Sequence, residues 1–112
     1  MNIQFHKYQG TGNDFIIIDN RRLFFDYSNH KLIQKLCNRK FGIGADGLIL
    51  LQDVTNYDFE MLYYNSDGHL GSMCGNGGRC VVDFAKKLNI FEKECHFLAC
   101  DGPHLANWTS SN

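Results

Sequence analysis

A cysteine stands directly before a glycine-rich turn in the segment MCGNGGRC, residues 73–80. The run VVDFAKKL follows at helical spacing, so the turn is predicted to open a helix. The N–H groups of Gly75, Asn76 and Gly77 then lie in the first helical turn, where such groups lack partners within the helix and bind anions. They could stabilise a thiolate at Cys74, whose pKa falls at a helix N-terminus, or a substrate carboxylate. The alternative is a buried structural cysteine; the glycines after Cys74 favour a functional one.

Two other asparagines lie at glycine-rich turns, Asn13 in GTGND and Asn65 in NSDG. Each alone is typical of a turn residue. Together with Asn76, they would supply neutral donors and acceptors suited to the ammonium and carboxylate groups of an amino acid.

Two other motifs are weaker. GIGADG, at 42–47, matches the glycine pattern of dinucleotide sites, but that site needs a following helix and here the strand-like run LILL follows. The segment CHFLACDGPH could bring together Cys95, His96, Cys100 and His104 as metal ligands. Their spacing matches no structural zinc pattern, so we predict no metal, with Cys95 and Cys100 in a strand and at its end.

Composition narrows the class of protein. The 112 residues suffice for one domain with its own core, and the net charge of −1 without a basic patch argues against nucleic acid and anionic membranes as partners. No stretch approaches the roughly 20 apolar residues of a membrane helix, and the N-terminus lacks the pattern of a signal peptide. Five cysteines, an odd count without a CxxC pair, indicate free thiols in a reducing cytoplasm.

The periodicity predicts an α+β fold, with a mixed, mostly antiparallel sheet curled around a central helix. Strands are expected at 3–8, 15–19, 48–52, 57–65 and, as the last strand, 95–100, with loops at 9–14 and 41–47. The alternation in the fourth strand puts Phe59, Met61 and Tyr63 on one face.

Two helices complete the prediction. Ser28 is expected to cap a helix that runs to about Asn38. The central helix after the glycine turn carries an apolar surface and stops at Asn89. Residues 1–105 are expected to form the domain, and 106–112 a polar tail that frays.

The motifs GTGNDF, GIGADG, YYNSDG and MCGNGGRC resemble, in order and spacing, those of the diaminopimelate epimerase family. The resemblance covers about residues 3–105. Proline racemases are relatives by fold, but their cysteine is typically followed by Gly-His instead of Gly-Asn. The phenazine-biosynthesis isomerases resemble the family in fold and are not expected to carry this cysteine motif.

The resemblance implies an isomerase without a cofactor, which interconverts L,L- and meso-diaminopimelate on the route to lysine. It makes Cys74 one of two catalytic cysteines that exchange protons with the α-carbon from opposite faces. Asn13, Asn65, Gly75 and Asn76 match substrate-binding positions, and the position of Gly47 contacts substrate in some members. Without pyridoxal phosphate, the carbanion must be stabilised by aligned amides and dipoles, which a helix N-terminus supplies.

The family's members are about twice this length, and their second cysteine lies on a second domain. None of Cys80, Cys95 and Cys100 stands in that second context. The chain is therefore expected to be a truncated product, a fragment or half of a split enzyme, inactive alone. Its expected partners are the missing second domain and, through the uncovered apolar surface, another copy of the chain in a homo-oligomer. The alternative is a non-catalytic binding or assembly domain that keeps half of the site.

Overall fold

A computed structural model describes residues 3–72 and 75–108, and within these ranges it contains six strands and two helices. In chain order they are β1 (His6–Gly10), β2 (Asn13–Asp19), α1 (His30–Cys37), β3 (Gly47–Gln52), β4 (Phe59–Asn65), α2 (Gly75–Lys87), β5 (Glu94–Ala99) and β6 (Gly102–Asn107). Neither helix is long and apolar enough to cross a membrane.

The six strands form one sheet whose spatial order follows the sequence. Three adjacent pairs, β1–β2, β3–β4 and β5–β6, are antiparallel. The pairs β2–β3 and β4–β5 are parallel, and the crossovers between them carry α1 and α2. The predicted α+β fold with a mixed, mostly antiparallel sheet is therefore confirmed.

The two helices cover opposite faces of the sheet. Crossovers between parallel strands are almost always right-handed, and β2 and β4 run in opposite directions, so successive crossovers of one hand place their helices on opposite faces. The core divides accordingly. One cluster joins Val81, Phe84 and Ala85 of α2 to Phe15, Ile17, Ile49, Leu51 and Met61 of the sheet. The other joins Ile33 and Cys37 of α1 to Ile16, Ile18, Leu48 and Leu50.

The predicted central helix is α2, which contacts β1, β2 and β3. The expected face of β4 is present: Phe59 and Met61 are buried in the α2 cluster, and Tyr63 packs against it. Asn89 follows α2 at a φ of 61°, and its N–H donates to the carbonyl of Lys86 at 3.0 Å. The predicted helix stop at Asn89 is thus confirmed.

The cap of α1 differs from the prediction. Asn29 is the N-cap, and its side-chain oxygen accepts from the N–H of Leu32 at 3.1 Å. The predicted cap, Ser28, donates through its N–H and its hydroxyl to the Asp26 carboxylate at 3.0 and 2.6 Å. Because Ser28 already donates to Asp26, the next residue with a short polar side chain, Asn29, caps the helix instead.

The strand at 95–100 was expected to be the last, and this was wrong because β6 follows it. β6 contains Pro103, and it lies at the sheet edge, where proline is tolerated. Ala106 and Asn107, assigned to the polar tail, lie in β6, and the N–H of Trp108 donates to the carbonyl of Lys93 at 2.9 Å. Residues 109–112 lie outside the described residues, so the boundary at 105 remains a prediction.

Substitution of Gly68 tests the turn that follows β4. Gly68 has a φ of 92°, and an added Cβ would lie 2.1 Å from the carbonyl oxygen of His30. We expect Gly68→Ala to lower the free energy of unfolding by about 2–4 kcal/mol, because a strained φ adds to a backbone clash.

Gly12→Ala is the matched control in urea unfolding. Its φ is 90° but nothing lies within 4 Å of an added Cβ, so only the backbone strain of about 1 kcal/mol applies. Equal losses in the two variants would show that the contact between Gly68 and His30 is not formed.

Candidate functional site

Three predicted site positions meet at one end of the sheet. Gly47, the first residue of β3, pairs with Asn65, the last residue of β4. Gly47 also pairs across its other side with Phe15, two residues after Asn13 at the start of β2. Asn13, Gly47 and Asn65 therefore lie at neighbouring strand ends.

The same three positions share the sheet face that α2 covers. Side chains alternate between the two faces along a strand. The side chains of Asn13 and Phe15 therefore project from one face, and those of Asn65 and Met61 also share a face. Phe15 and Met61 both belong to the α2 cluster. The first turn of α2 is therefore on the correct side of the sheet to contact these positions.

A tight hairpin brings α2 close to Asn13. Thr11 and Gly12 both have positive φ, 44° and 90°, as in the two-residue turn that joins closely paired strands. The predicted loop at 9–14 is thus only two residues long. A Cβ added to Gly10 would lie 3.3 Å from the Cys80 sulfur and 3.7 Å from the carbonyl oxygen of Asn76, so the helix start packs on this hairpin.

Side-chain hydrogen bonds join the helix to the sheet end. The Asn76 side-chain amide donates to Asn13 Oδ1 at 2.8 Å, and the Asn13 amide donates to Asp46 Oδ2 at 3.3 Å. Arg79 donates to Asn76 Oδ1. These bonds fix which way both amides point and use one of the two N–H groups of each. The second N–H of each amide can then serve a ligand.

An ion network holds this arrangement from behind. The Arg39 guanidinium donates to both oxygens of Asp14, at 3.0 and 2.8 Å, and to Asp46 at 3.1 Å. The backbone N–H of each aspartate donates to the carboxylate of the other at 3.0 Å. Hydrogen bonding to Arg39 holds the pKa of Asp14 well below its usual value. Asp14 is therefore ionised at neutral pH and can accept these bonds.

The described thiols differ in their surroundings. Burial raises the pKa of Cys37 to about 11 and that of Cys95 to about 12, so both are neutral at pH 7. Cys80 is also buried, while Cys100 is exposed and its sulfur lies 3.5 Å from the carbonyl oxygen of Gly71. Cys74, the predicted catalytic residue, lies outside the described residues; it directly precedes Gly75, where α2 begins.

Comparison with known proteins decides the family. The family model for diaminopimelate epimerase matches residues 5–112. A protein from Flavobacterium psychrophilum named diaminopimelate epimerase is 62% identical over 104 residues, which make up 93% of this chain and 41% of the relative. The chain belongs to the diaminopimelate epimerase family. Another relative of that name, from Chlorobaculum tepidum, is 50% identical over 94 residues, 84% of this chain and 36% of its own length.

Solved structures with low sequence identity share the fold. A methylitaconate-delta-isomerase matches with a TM-score of 0.75 at 14% identity, over 98% of this chain and 35% of its own. A phenazine biosynthesis protein of the PhzF family from Bacillus anthracis matches with a TM-score of 0.70 at 13% identity, over 98% of this chain and 36% of its own. The predicted likeness in fold to the phenazine group is confirmed.

Apart from Cys74, the predicted site residues lie together where the start of α2 meets the ends of the strands. Asn13 and Asn76 bond to each other, Gly47 and Asn65 pair in the sheet, and Gly75 begins α2, where an added Cβ would lie 3.8 Å from a side-chain nitrogen of Arg79. Their roles toward a substrate remain predictions.

The sequence reasoning missed three charged residues, Arg39, Asp46 and Arg79. Two of them lie inside the motifs that it quoted: Asp46 precedes Gly47, and Arg79 precedes Cys80. Asp46 and Arg79 each hydrogen-bond one of the candidate asparagines. A charged residue inside a glycine-rich motif is the sequence feature that could have identified both.

The segment weighed as a metal site has ordinary contacts. Cys95 lies in β5 and Cys100 directly after it, as predicted. His104 bonds to Asp101 at 2.7 Å and stacks on Phe97. Over residues 3–72 and 75–108, no group of three or more His, Cys, Asp or Glu side chains could hold a metal ion.

We expect Cys74 to be alkylated first by limiting iodoacetamide at pH 7, because it precedes the N–H groups of the α2 start. Cys37 and Cys95 should label last, since burial keeps them protonated. Peptide mapping gives the order, and a Cys100→Ser variant removes the exposed competitor. Labelling of Cys37 or Cys80 before Cys74 would show that the start of α2 does not activate the Cys74 thiol.

The Arg39 network predicts a dependence of stability on pH. Asp14 has a lowered pKa in the fold, so its contribution is present above its ordinary value of 3.8 and is lost as the pH falls through the lowered value. We expect Arg39→Met to flatten the decline of the unfolding free energy between about pH 4 and pH 2.

Arg21→Met is the control in the same pH series. Arg21 forms a similar two-bond pair with Asp19 at the other end of β2, at 2.9 and 2.8 Å. Both variants should flatten the decline, but only Arg39→Met should alter the side-chain amide NMR signals of Asn13 and Asn76. Unchanged amide signals in Arg39→Met would refute a role for Arg39 in holding Asn13.

Proposed function

We propose that this chain forms one half of the active site of a cofactor-independent epimerase that interconverts L,L- and meso-diaminopimelate. Family membership and the names of the relatives support the reaction. The observation that carries the site is the hydrogen bond from Asn76 to Asn13, which joins the start of α2 to the sheet end where Gly47 and Asn65 pair.

The substrate's reacting end would lie at the start of α2. The N–H groups of Gly75, Asn76 and Gly77 have no partner within the helix, and the helix dipole favours a negative charge there. One substrate carboxylate would accept from these groups and from the second N–H of the Asn13 amide. Asn65, exposed at the end of β4, would accept from the ammonium group through its side-chain oxygen.

Proton transfer would then use Cys74. Its thiolate removes the α-proton, so the C–H bond breaks, an S–H bond forms, and the electron pair delocalises from the α-carbon into the carboxylate. The amides that hold the carboxylate stabilise this charge. A second acid on the opposite face delivers its proton to the α-carbon and completes the inversion.

The second acid would come from the part of the family's protein that this chain does not span. The chain covers 41% and 36% of the two relatives compared above. Among the described thiols, Cys37 and Cys95 are only 3% and 0% exposed, and this burial in the core argues against either as that acid. The same remaining part, or a second copy of the chain, would cover exposed apolar residues such as Phe41 and Leu70.

The cell compartment proposed is the cytoplasm. Cys37 and Cys95 are buried without a disulfide, and Cys100 is exposed without one. Thiols in these states are typical of a reducing compartment.

We expect no inversion of diaminopimelate by the 112-residue chain alone, because loss of one acid/base group costs about 10²- to 10⁴-fold. Mixing it with the remaining part of the Flavobacterium psychrophilum relative should restore inversion. Incubation in D₂O, with deuterium uptake by NMR and stereochemistry by chiral chromatography, measures both.

Two variants serve as controls in the mixture. Cys74→Ser should abolish the restored inversion, and Cys100→Ser should leave it. Inversion at ordinary enzymatic rates by a verified monomer or homodimer of the chain alone would contradict the proposal. No inversion in the mixture would favour the alternative, a binding or assembly domain that keeps half of the site.

A further inference from the structure

The space where a side chain at position 47 would lie is filled by Tyr63. A Cβ added to Gly47 would be 2.6 Å from a ring carbon of Tyr63 and 2.9 Å from its hydroxyl oxygen. It would also be 2.8 Å from the carbonyl oxygen of Tyr64. Position 47 can therefore contribute only backbone to the site, while the Tyr63 hydroxyl lies directly over it.

Two glycines hold the ring of Tyr63 in a slot. On the side away from Gly47, a Cβ added to Gly71 would be 2.9 Å from another ring carbon of Tyr63. The N–H of Gly71 donates to the carbonyl of Tyr63 at 2.8 Å, which fixes the spacing of the slot. Phe15 packs edge-on against the ring, with centroids 6.1 Å apart. These contacts set both the position and the tilt of the ring.

The slot lies beside the other candidate residues. Tyr63 and Asn65 are two residues apart on β4, so both project from the α2 face of the sheet. The Cβ added to Gly71 would also be 2.8 and 2.9 Å from the side-chain oxygen and nitrogen of Asn65. The backbone of Gly71 thus lies against both side chains.

We propose that Tyr63 is a substrate-contacting residue, which replaces the side chain missing at Gly47. Its hydroxyl donates a hydrogen bond to a carboxylate oxygen of an amino-acid substrate at the sheet end. This inference rests on the proposed function, since it assumes that the substrate lies there. Tyr63 was not among the candidate site residues that the glycine-rich turns and the cysteine motif predicted.

The slot itself is tested without any ligand. In a double-mutant cycle, Gly47→Ala should lower stability more in the wild-type background than beside Tyr63→Leu, because removing the ring relieves part of the clash. The contact with the Tyr64 carbonyl should leave a residual cost in both backgrounds. Equal costs in the two backgrounds would show that Tyr63 does not occupy the space over Gly47, and would overturn the inference.

The contact with substrate is tested by Tyr63→Phe, which keeps the ring and removes the hydroxyl. NMR titration with meso-diaminopimelate, read on the backbone amides of residues 75–77, should give a Kd about tenfold weaker than that of the unaltered chain. Tyr8→Phe is the matched control, because Tyr8 is also half-buried and lies edge-on to Phe84 at 6.0 Å. It should leave the Kd unchanged.

The outcomes separate this inference from the proposed function. Binding that is equal in the unaltered chain and Tyr63→Phe overturns the role of Tyr63 and leaves the proposed function standing. An unaltered chain that does not bind diaminopimelate at millimolar concentration, alone or with the relative's remaining part, overturns both. Weakening by Tyr8→Phe as great as that by Tyr63→Phe would also overturn the inference, since the loss would not be specific to the slot.

Discussion

The hydrogen bond between the side chains of Asn76 and Asn13, at 2.8 Å, is the contact on which the candidate site depends. It joins residues 63 positions apart in the chain and connects the start of α2 to the start of β2. Asn13 is fixed by the sheet and by Asp46, so the bond sets where the first turn of α2 lies. A shift of either partner would separate the helix amides from the strand ends.

Charge and topology make that bond possible. The crossovers put α2 and the side chains of Asn13 and Asn65 on one face, while α1 covers the other. Arg39 bridges the carboxylates of Asp14 and Asp46, and Lys7 Nζ lies 3.2 Å from Asp14, so two cations offset the two like charges and the aspartates can remain close. The exposed position of Arg39 limits what the network contributes to stability. Its role is better understood as fixing the orientation of neighbouring polar groups.

Local features of the fold were readable from sequence, and contacts between distant segments were not. Apolar runs and alternation predicted five of the six described strands, and the glycine turn predicted the start of α2. Ser28 and Asn29 are both good caps, and the choice between them depended on the hydrogen bonds from Ser28 to Asp26. β6 was missed; it contains Pro103, and within sheets proline is confined to edge strands, first residues and bulges, so its presence is compatible with a strand only once the sheet order is known.

The candidate site shows the same division. The asparagines were predicted from their turns, but the bond between Asn13 and Asn76 requires knowledge of the sheet register. The contact between Tyr63 and the space over Gly47 also depends on the sheet register, because it requires β3 and β4 to pair with Gly47 opposite Asn65. Residue types alone cannot show that a missing side chain on one strand is compensated by a ring on the next.

The most direct test of the account is a crystal structure of the chain, with the remaining part of the relative if it is needed, bound to meso-diaminopimelate. The account predicts one substrate carboxylate at the start of α2, with its oxygens about 3 Å from backbone nitrogens of residues 75–77 and from the Asn13 amide. A substrate bound with no carboxylate at these groups, or with Asn13 and Asn76 separated from each other, would contradict it.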